Sequence, residues 1–353
     1  MNLDTSYLGL KLRNPLVASA GPMTQTADRV GRLAEAGVGA VVLPSLFEEQ
    51  IREEADRDER LAEVNVDSFA EAMTFLLDPD ASIWPRHYLD LIERAAGYGV
   101  PVIASLNGST AGGWTDYARA MQDAGASAIE LNIYYLPGDP PPTSSAHGGL
   151  PPPVPPGPSP FIAARDNEQR YVDVLTMVKA AVSVPVAVKL TPYFSSFGEM
   201  ALRLDRAGAD GLVLFNRFMQ TDINPETLTI STGFKLSRPA EATVGRSWIA
   251  RLRGQVRASL AASTGVETAA DVAAYLLAGA DVVMTTSSLL RHGPAHAAVL
   301  LDGLTAWMER KGFGGVGEFR GMVAAAADAS GPGYGRGGYL SAVEHATRAY
   351  GPR

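Results

Sequence analysis

The chain has 353 residues, 46% of them hydrophobic and 19% charged, with no cysteine and a formal net charge of −8. That length accommodates either two average domains or one α/β barrel with insertions. The acidic balance argues against a nucleic-acid or anionic-membrane surface. The missing cysteine excludes disulfides, thiolate nucleophiles and Cys-ligated zinc or iron–sulfur clusters.

The first residues, M-N-L-D-T-S-Y-L-G-L-K-L, show no basic segment followed by an apolar core, so no signal peptide is expected. No apolar run approaches the ~18–20 residues of a spanning helix. Together these features point to a soluble cytoplasmic enzyme.

Residues 5–13 read as a small hairpin with Gly9 near its turn. A unit then repeats: a short run rich in Val, Ile and Leu, a loop of small or polar residues, and a helix. The runs occupy 16–19, 40–43, 102–106, 129–133, 186–190, 211–215, 256–261 and 282–286. Most are apolar throughout, as strands buried on both faces require. The exception is 256–261, where Arg257 and Ser259 interrupt the pattern. Helical patterns fall at 26–36, 85–96, 113–124, 168–181, 197–207, 247–253, 268–278 and 295–311. Several end in Ala-Gly just before the next run, a glycine stop that feeds a strand. Eight strands alternating with helices predict a (β/α)8 TIM barrel, with an open doubly wound sheet as the alternative.

Three stretches fall outside the repeat. Residues 47–77 open with the charged run E-E-Q-I-R-E-E-A-D-R-D-E-R, which reads as a solvated face. Residues 137–160 hold 11 of the 24 prolines, so 137–166 reads as an extended insertion after strand 4. The glycine-rich tail, 331–353, follows an alanine-rich helix rather than a strand. It is therefore expected as a flexible extension, not a dinucleotide fingerprint, leaving 1–330 as the barrel.

Active sites of such barrels lie at the C-terminal ends of the strands. Strand 1 ends in the small residues Ser19, Ala20 and Gly21; strands 3, 4 and 6 end near Asn107, Asn132 and Asn216. One such Asn commonly caps a loop, but three on one rim suit a heterocycle such as flavin or pyrimidine. Lys189 lies among apolar neighbours, and a lysine is rarely buried without a partner, so a functional role competes with a structural ion pair. Thr264-Gly265 and Thr286-Ser287 follow strands 7 and 8, where barrels bind phosphate; ordinary helix capping is the simpler use. Arg217 suits an anionic substrate or a rim carboxylate. His292 and His296 have helical spacing but no third ligand, so no metal site is expected.

Together these pieces resemble the dihydroorotate dehydrogenase family of FMN-binding barrels. The matching segments are N-P-L-V-A-S-A-G-P-M at 14–23, V-V-L-P-S-L-F-E-E-Q-I at 41–51 and A-S-L-N-G at 104–108. Further matches are E-L-N-I-Y-Y-L-P at 130–137, A-V-K-L-T-P-Y at 187–193, G-A-D-G-L-V-L-F-N-R at 208–217, T-G-V-E-T at 264–268 and L-L-R-H-G-P at 289–294. The resemblance implies non-covalent FMN, with Ser19, Ala20 and Ser45 lining the flavin and Asn132 facing flavin or substrate. Lys189 would lie by the pyrimidine edge and stabilise reduced flavin, Asn216 would contact substrate, and Thr264-Gly265 and Thr286-Ser287 would hold the phosphate. A homodimer is implied by the same analogy.

Four positions depart from the family pattern. Tyr135 stands where members place a catalytic Cys or Ser, Pro44 where they place a Lys, and Pro137 where an Asn is expected. The asparagine-rich substrate loop is reduced to Asn65. The expected activity is therefore flavin-dependent hydride transfer with dihydroorotate/orotate or a related dihydropyrimidine, in pyrimidine metabolism, with Tyr135 as the candidate base and Ser144 or Ser145 as substitutes. A flavin-free lyase or aldolase using Lys189 as a Schiff-base nucleophile, and a catalytically idle ligand-binding barrel, are the alternatives.

Overall fold

The computed structural model describes residues 1–48, 84–108, 111–133, 163–217, 222–231, 235–325 and 336–351. A closed barrel of eight parallel strands forms its centre, as the alternating pattern predicts. In barrel order from strand 1 the strands are β3 (Leu16–Ala18), β4 (Ala40–Phe47), β5 (Val102–Asn107), β6 (Ala128–Asn132), β7 (Val186–Leu190), β8 (Gly211–Leu214), β11 (Ser259–Ala262) and β12 (Val282–Thr285). Outside lie α1 (Ala27–Glu35), α2 (Trp84–Ala96), α3 (Ala111–Asp123), α4 (Ala164–Ala181), α5 (Phe197–Arg206), α6 (Ala242–Leu252), α7 (Ala269–Ala278), α8 (Ser287–His292) and α9 (His296–Lys311). The glycines after α1, α3, α5 and α7 take the left-handed backbone that ends a helix, with φ from 92° at Gly208 to 118° at Gly279.

An antiparallel hairpin, β1 (Thr5–Tyr7) and β2 (Leu10–Leu12), closes the N-terminal end of the barrel. Its two-residue turn places Leu8 and Gly9 at positive φ, as a type I′ turn requires. A left-handed leucine costs about 1–2 kcal/mol. Burying its side chain returns about 1.5–3 kcal/mol, and Leu8 is only 2% exposed. Burial therefore wins. Tyr7, Leu8 and Leu12 pack on the inward residues Val17, Val42, Ile103, Ala128, Ala187 and Val213. Leu8 approaches Gly211 so closely that a Cβ there would lie 2.5 Å from its Cδ2.

Several boundaries differ from the sequence pattern for physical reasons. Strand β4 runs on through Pro44 to Phe47, because its register with β5 shifts between Val42 and Ser45. A bulge is where a strand tolerates a residue without an N–H. Strand β11 starts at Ser259 instead of residue 256, since the Arg257 and Ala258 amides donate to Asp205 Oδ1, each at 2.8 Å. Helix α6 starts at Ala242, five residues before the expected start. Gly245 obscures it in sequence, and the glycine is there because a Cβ would lie 2.9 Å from the Tyr275 hydroxyl.

Helix α4 begins at Ala164, inside the span assigned to the insertion. The sequence pattern also misses an exposed hairpin, β9 (Asp222–Asn224) and β10 (Thr229–Ser231). The tail expected to be flexible contains helix α11 (Arg336–Tyr350), after the short α10 (Val316–Phe319). Its glycine-rich run ends at Gly338, and the alanine-containing sequence from there to Tyr350 favours a helix. The proline-rich stretch and most of the charged run lie outside the described residues. Among the described residues no helix is long and apolar enough to cross a membrane.

Candidate active site

Side chains of a strand alternate between two faces, so residues two apart form inward columns. On β5 the column is Ile103, Ser105, Asn107; on β6 it is Ala128, Glu130, Asn132; on β7 it is Ala187, Lys189. Each starts apolar at the plugged end and becomes polar toward the C-terminal mouth. Register joins them into layers. Ser45, Ser105, Glu130 and Ala187 align at one level, and Asn132 aligns with Lys189 one level higher.

The polar layers are hydrogen-bonded across strands. Ser45 Oγ lies 2.7 Å from Ser105 Oγ, and Asn132 Nδ2 donates to Ser45 Oγ at 2.9 Å. Asn216, whose backbone N–H donates to Leu190, donates through Nδ2 to Asn132 Oδ1 at 2.6 Å. Lys189 Nζ forms an ion pair with Glu130 Oε1 at 3.1 Å. Glu130 is wholly buried, and its Oε2 has no hydrogen-bond partner among the described residues. The Tyr88 hydroxyl, from α2, both accepts from Ser105 N–H and donates to Ser105 C=O. Burial, with the Glu130 carboxylate adding to it, holds this hydroxyl well above the usual tyrosine range despite its Ser105 backbone bond. Tyr88 therefore secures the strand and is no base.

The opposite side of the mouth is made of small residues. The Ser19 amide donates to Thr285 C=O, and Thr286 Oγ1 donates to Ser19 C=O at 2.9 Å. A Cβ on Gly21 would lie 2.6 Å from Thr286 Cγ2, so this loop accepts nothing larger. Thr264 and Gly265 follow β11 with φ of 76° and 72°. The Tyr275 hydroxyl lies 2.8 Å from Thr264 C=O and 3.0 Å from Ser263 C=O, tying the loop to α7. Gly265 N–H donates to Ser237 Oγ at 3.1 Å, while Ser287 Oγ meets both Ser237 N–H and Ser237 Oγ at 3.0 Å. Arg291 donates to Ser237 C=O at 2.7 Å. Hydroxyl and amide donors, with a guanidinium close behind, form a set suited to an anion's oxygens.

The structure thus brings together Ser45, Asn132, Asn216 and Lys189 on one side, and Ser19, Thr264, Gly265, Thr286 and Ser287 on the other. Half-buried Ala20 accepts from Thr286 Oγ1 at 3.3 Å, and Asn107 ends β5 in register with Phe47. Arg217 meets the rim carboxylate Glu241 at 3.1 Å and the Lys235 carbonyl. Tyr135 lies outside the described residues, as do Ser144 and Ser145. His292 and His296 stack at 4.6 Å, with His292 Nε2 2.6 Å from Glu267 Oε1. Among the described residues no group of three His, Cys, Asp or Glu side chains is placed to hold a metal ion.

Sequence reasoning missed four residues. Counting back by two from Asn132 identifies Glu130 as inward-facing; its apolar neighbours hid it. The same count from Asn107 finds Ser105. Ser237 gives no strand-end signal, since it precedes a short helical turn at Pro239–Glu241. Glu48 opens the run read as solvated, yet it is 3% exposed, with its carboxylate set against Gly113 of α3.

The chain is similar to known proteins over most of its length. A family model described as dihydroorotate dehydrogenase matches residues 152–308. The catalytic subunit of dihydroorotate dehydrogenase B (NAD(+)) from Methanothermobacter thermautotrophicus is 29% identical over 326 residues, covering 91% of this chain and 98% of that one. The protein of the same name from Methanocella arvoryzae is 29% identical, covering 88% of this chain and 94% of its own. That from Halalkalibacterium halodurans is 32% identical over a shorter span, 54% of this chain and 58% of its own.

Proposed function

Because the chain belongs to the dihydroorotate dehydrogenase family, we propose that it is an FMN-dependent oxidoreductase moving a hydride between flavin and a small cyclic substrate. The substrate class is dihydroorotate/orotate or a related dihydropyrimidine. The observation that carries this reading is the mouth network, in which Ser45, Asn132 and Asn216 form one hydrogen-bonded line with Lys189 in register beside Asn132.

The donor sets on the two sides of the mouth suit the two ends of FMN. Carboxamides both donate and accept, which matches the alternating edge of a flavin or pyrimidine ring. Gly265 N–H, Ser237 and Ser287 converge with Arg291 nearby, which suits a phosphate. Bound FMN would supply the hydride chemistry, while the protein orients and tunes it.

In this reading Lys189 lies at the pyrimidine edge of the ring. Asn132 and Asn216 hold substrate against it, each fixing the other's amide. Ser19 and Ala20 line the ring's other flank by backbone, leaving room for a flat ligand. Arg217 reaches an anionic substrate only by leaving Glu241, so it ranks below the two asparagines. Tyr135 would take the proton from the substrate carbon. An unperturbed tyrosine titrates near ~10, so a neighbouring cation is needed for that role.

The direct test is colour. Purified protein should be yellow and release FMN on denaturation; a colourless protein that rejects added FMN contradicts the reading. Tyr135→Phe should lower turnover with dihydroorotate at least ~100-fold, the usual scale of a general base. Unchanged turnover removes Tyr135 from the mechanism and leaves the flavin reading in place.

A further inference from the structure

We propose that Glu130 is a positioning residue that holds Lys189 at the barrel mouth and, as its counter-charge, lowers the reduction potential of the flavin beside it. The inference rests on the FMN reading above and assigns a role to a residue that does not itself touch the ligand.

The two charges lie at different depths. Lys189 shares a level with Asn132, while Glu130 lies one inward position below it on β6. Lys189 is 8% exposed and Glu130 0%. A ring seated on the mouth therefore meets the ammonium first, with the carboxylate behind it. One carboxylate oxygen meets Nζ at 3.1 Å, and the other is buried with no hydrogen-bond partner among the described residues.

A purely structural role explains this poorly. A buried ion pair is frequently no better for stability than well-packed apolar residues, unless its remaining lone pairs are satisfied. Here one oxygen is not. Among the described residues, the titratable groups that face the carboxylate from neighbouring elements, besides Lys189, are neutral hydroxyls. Ser105 is level with it on β5, Tyr88 bonds the Ser105 backbone from α2, and Tyr7 rises from the plug. Burial first, then the Glu130 and Asp281 carboxylates, push the Tyr7 hydroxyl well above the usual tyrosine range. Tyr7 therefore donates no charge to the pair. Lys189 is the charged partner that Glu130 meets.

The sign follows from electrostatics. A cation near the pyrimidine edge favours the electron-rich, reduced ring, and a carboxylate behind that cation offsets part of its field. Removing the carboxylate leaves the lysine unopposed, so reduced flavin is favoured. The pair also fixes the lysine's direction, because Nζ on four methylenes has many rotamers and one anchored partner.

The test uses full-length protein loaded with FMN, as wild type, Glu130→Gln and Glu130→Asp. Bound flavin is quantified by absorbance. Sulfite affinity, which reports positive charge near the ring, and the midpoint potential against reference dyes are then measured. Glu130→Gln should stay yellow, bind sulfite at least tenfold more tightly and shift the two-electron equilibrium at least tenfold toward reduced flavin, equivalent to ~30 mV. Glu130→Asp keeps the charge but withdraws it by one methylene, so it should shift both readouts less, in the same direction. If Glu130→Gln does not fold, Glu130→Asp decides. Unshifted sulfite affinity and potential in folded, yellow variants overturn the role of Glu130 while leaving the FMN reading intact. A colourless wild type overturns both.

Discussion

On the β5–β7 side of the mouth the chain presents Asn132 and Lys189, side chains that reach inward and meet Ser45 and Glu130 one level below. On the β11, β12 and β3 side it presents Ser19, Gly21, Thr264, Gly265 and Thr286, where the working atoms are backbone groups and short hydroxyls. The first side is specified by which side chains point inward. The second is specified by which side chains are small enough to let loops meet. Substitutions should therefore fail differently on the two sides: through unpaired charge and polarity on one, and through excluded space and backbone geometry on the other.

The largest effect belongs to the charged side. Lys189→Met leaves Glu130 buried without its cation and should lower unfolding free energy by about 3–5 kcal/mol, read from denaturant midpoints. Replacing both members together, Lys189→Met with Glu130→Leu, should recover most of that loss. If the double variant is as unstable as the single, the pair is not what the lysine stabilises.

On the small side, Gly265→Ala should cost about 1–3 kcal/mol. It forces a left-handed backbone on a residue with a Cβ, and that Cβ would lie 2.8 Å from the Ala242 backbone nitrogen. FMN affinity should fall with it by about tenfold or more, since 1.4 kcal/mol is a factor of ten. Retained affinity would show that the loop does not hold the phosphate.

A milder probe of the same loop is Tyr275→Phe, which removes the hydroxyl shared by the Ser263 and Thr264 carbonyls. Its cost should be about 1 kcal/mol in denaturant unfolding, the scale of one lost hydrogen bond. An unchanged midpoint would mean that the loop keeps its geometry without this tether.

The smallest effect is electrostatic. Burial pushes the Asp271 carboxyl up, but hydrogen bonds from Thr268, Arg246 and the Glu267 amide together outweigh burial and hold it below the usual carboxylate range. A depressed value in the folded state means that the contribution is present above about pH 4 and lost as pH falls through the folded value. Asp271→Asn should lower stability slightly at neutral pH, where the carboxylate contributes, and so flatten the acid limb of the stability profile. A steeper acid limb would reverse the assigned direction.

How much was legible in sequence follows the same division. The barrel was readable because eight apolar runs alternate with helices, and the Ala-Gly stops take the left-handed backbone they imply. The positions of Asn132, Lys189 and the loops after β11 and β12 at the barrel mouth were readable because each ends a run. Glu130 was hidden because its apolar neighbours mask the period of two that puts it on one face with Asn132. Ser237 was hidden for another reason: its partners, Gly265 and Ser287, are 28 and 50 residues away. No local pattern encodes that meeting. Pro44 looked like the end of a strand because a bulge depends on the partner strand's register. Arg217 had two candidate partners in sequence, an anionic substrate and a rim carboxylate, and the structure pairs it with Glu241.

If both sides of the mouth serve one ligand, a flavin mononucleotide, then altering either side should loosen it. Retention of FMN after desalting, compared for wild type, Lys189→Met and Gly265→Ala, decides this. Stoichiometric flavin is expected on the wild type, with weaker retention when either side is altered. A wild type that keeps no FMN after reconstitution, or two folded variants that keep it as firmly as the wild type, would contradict it.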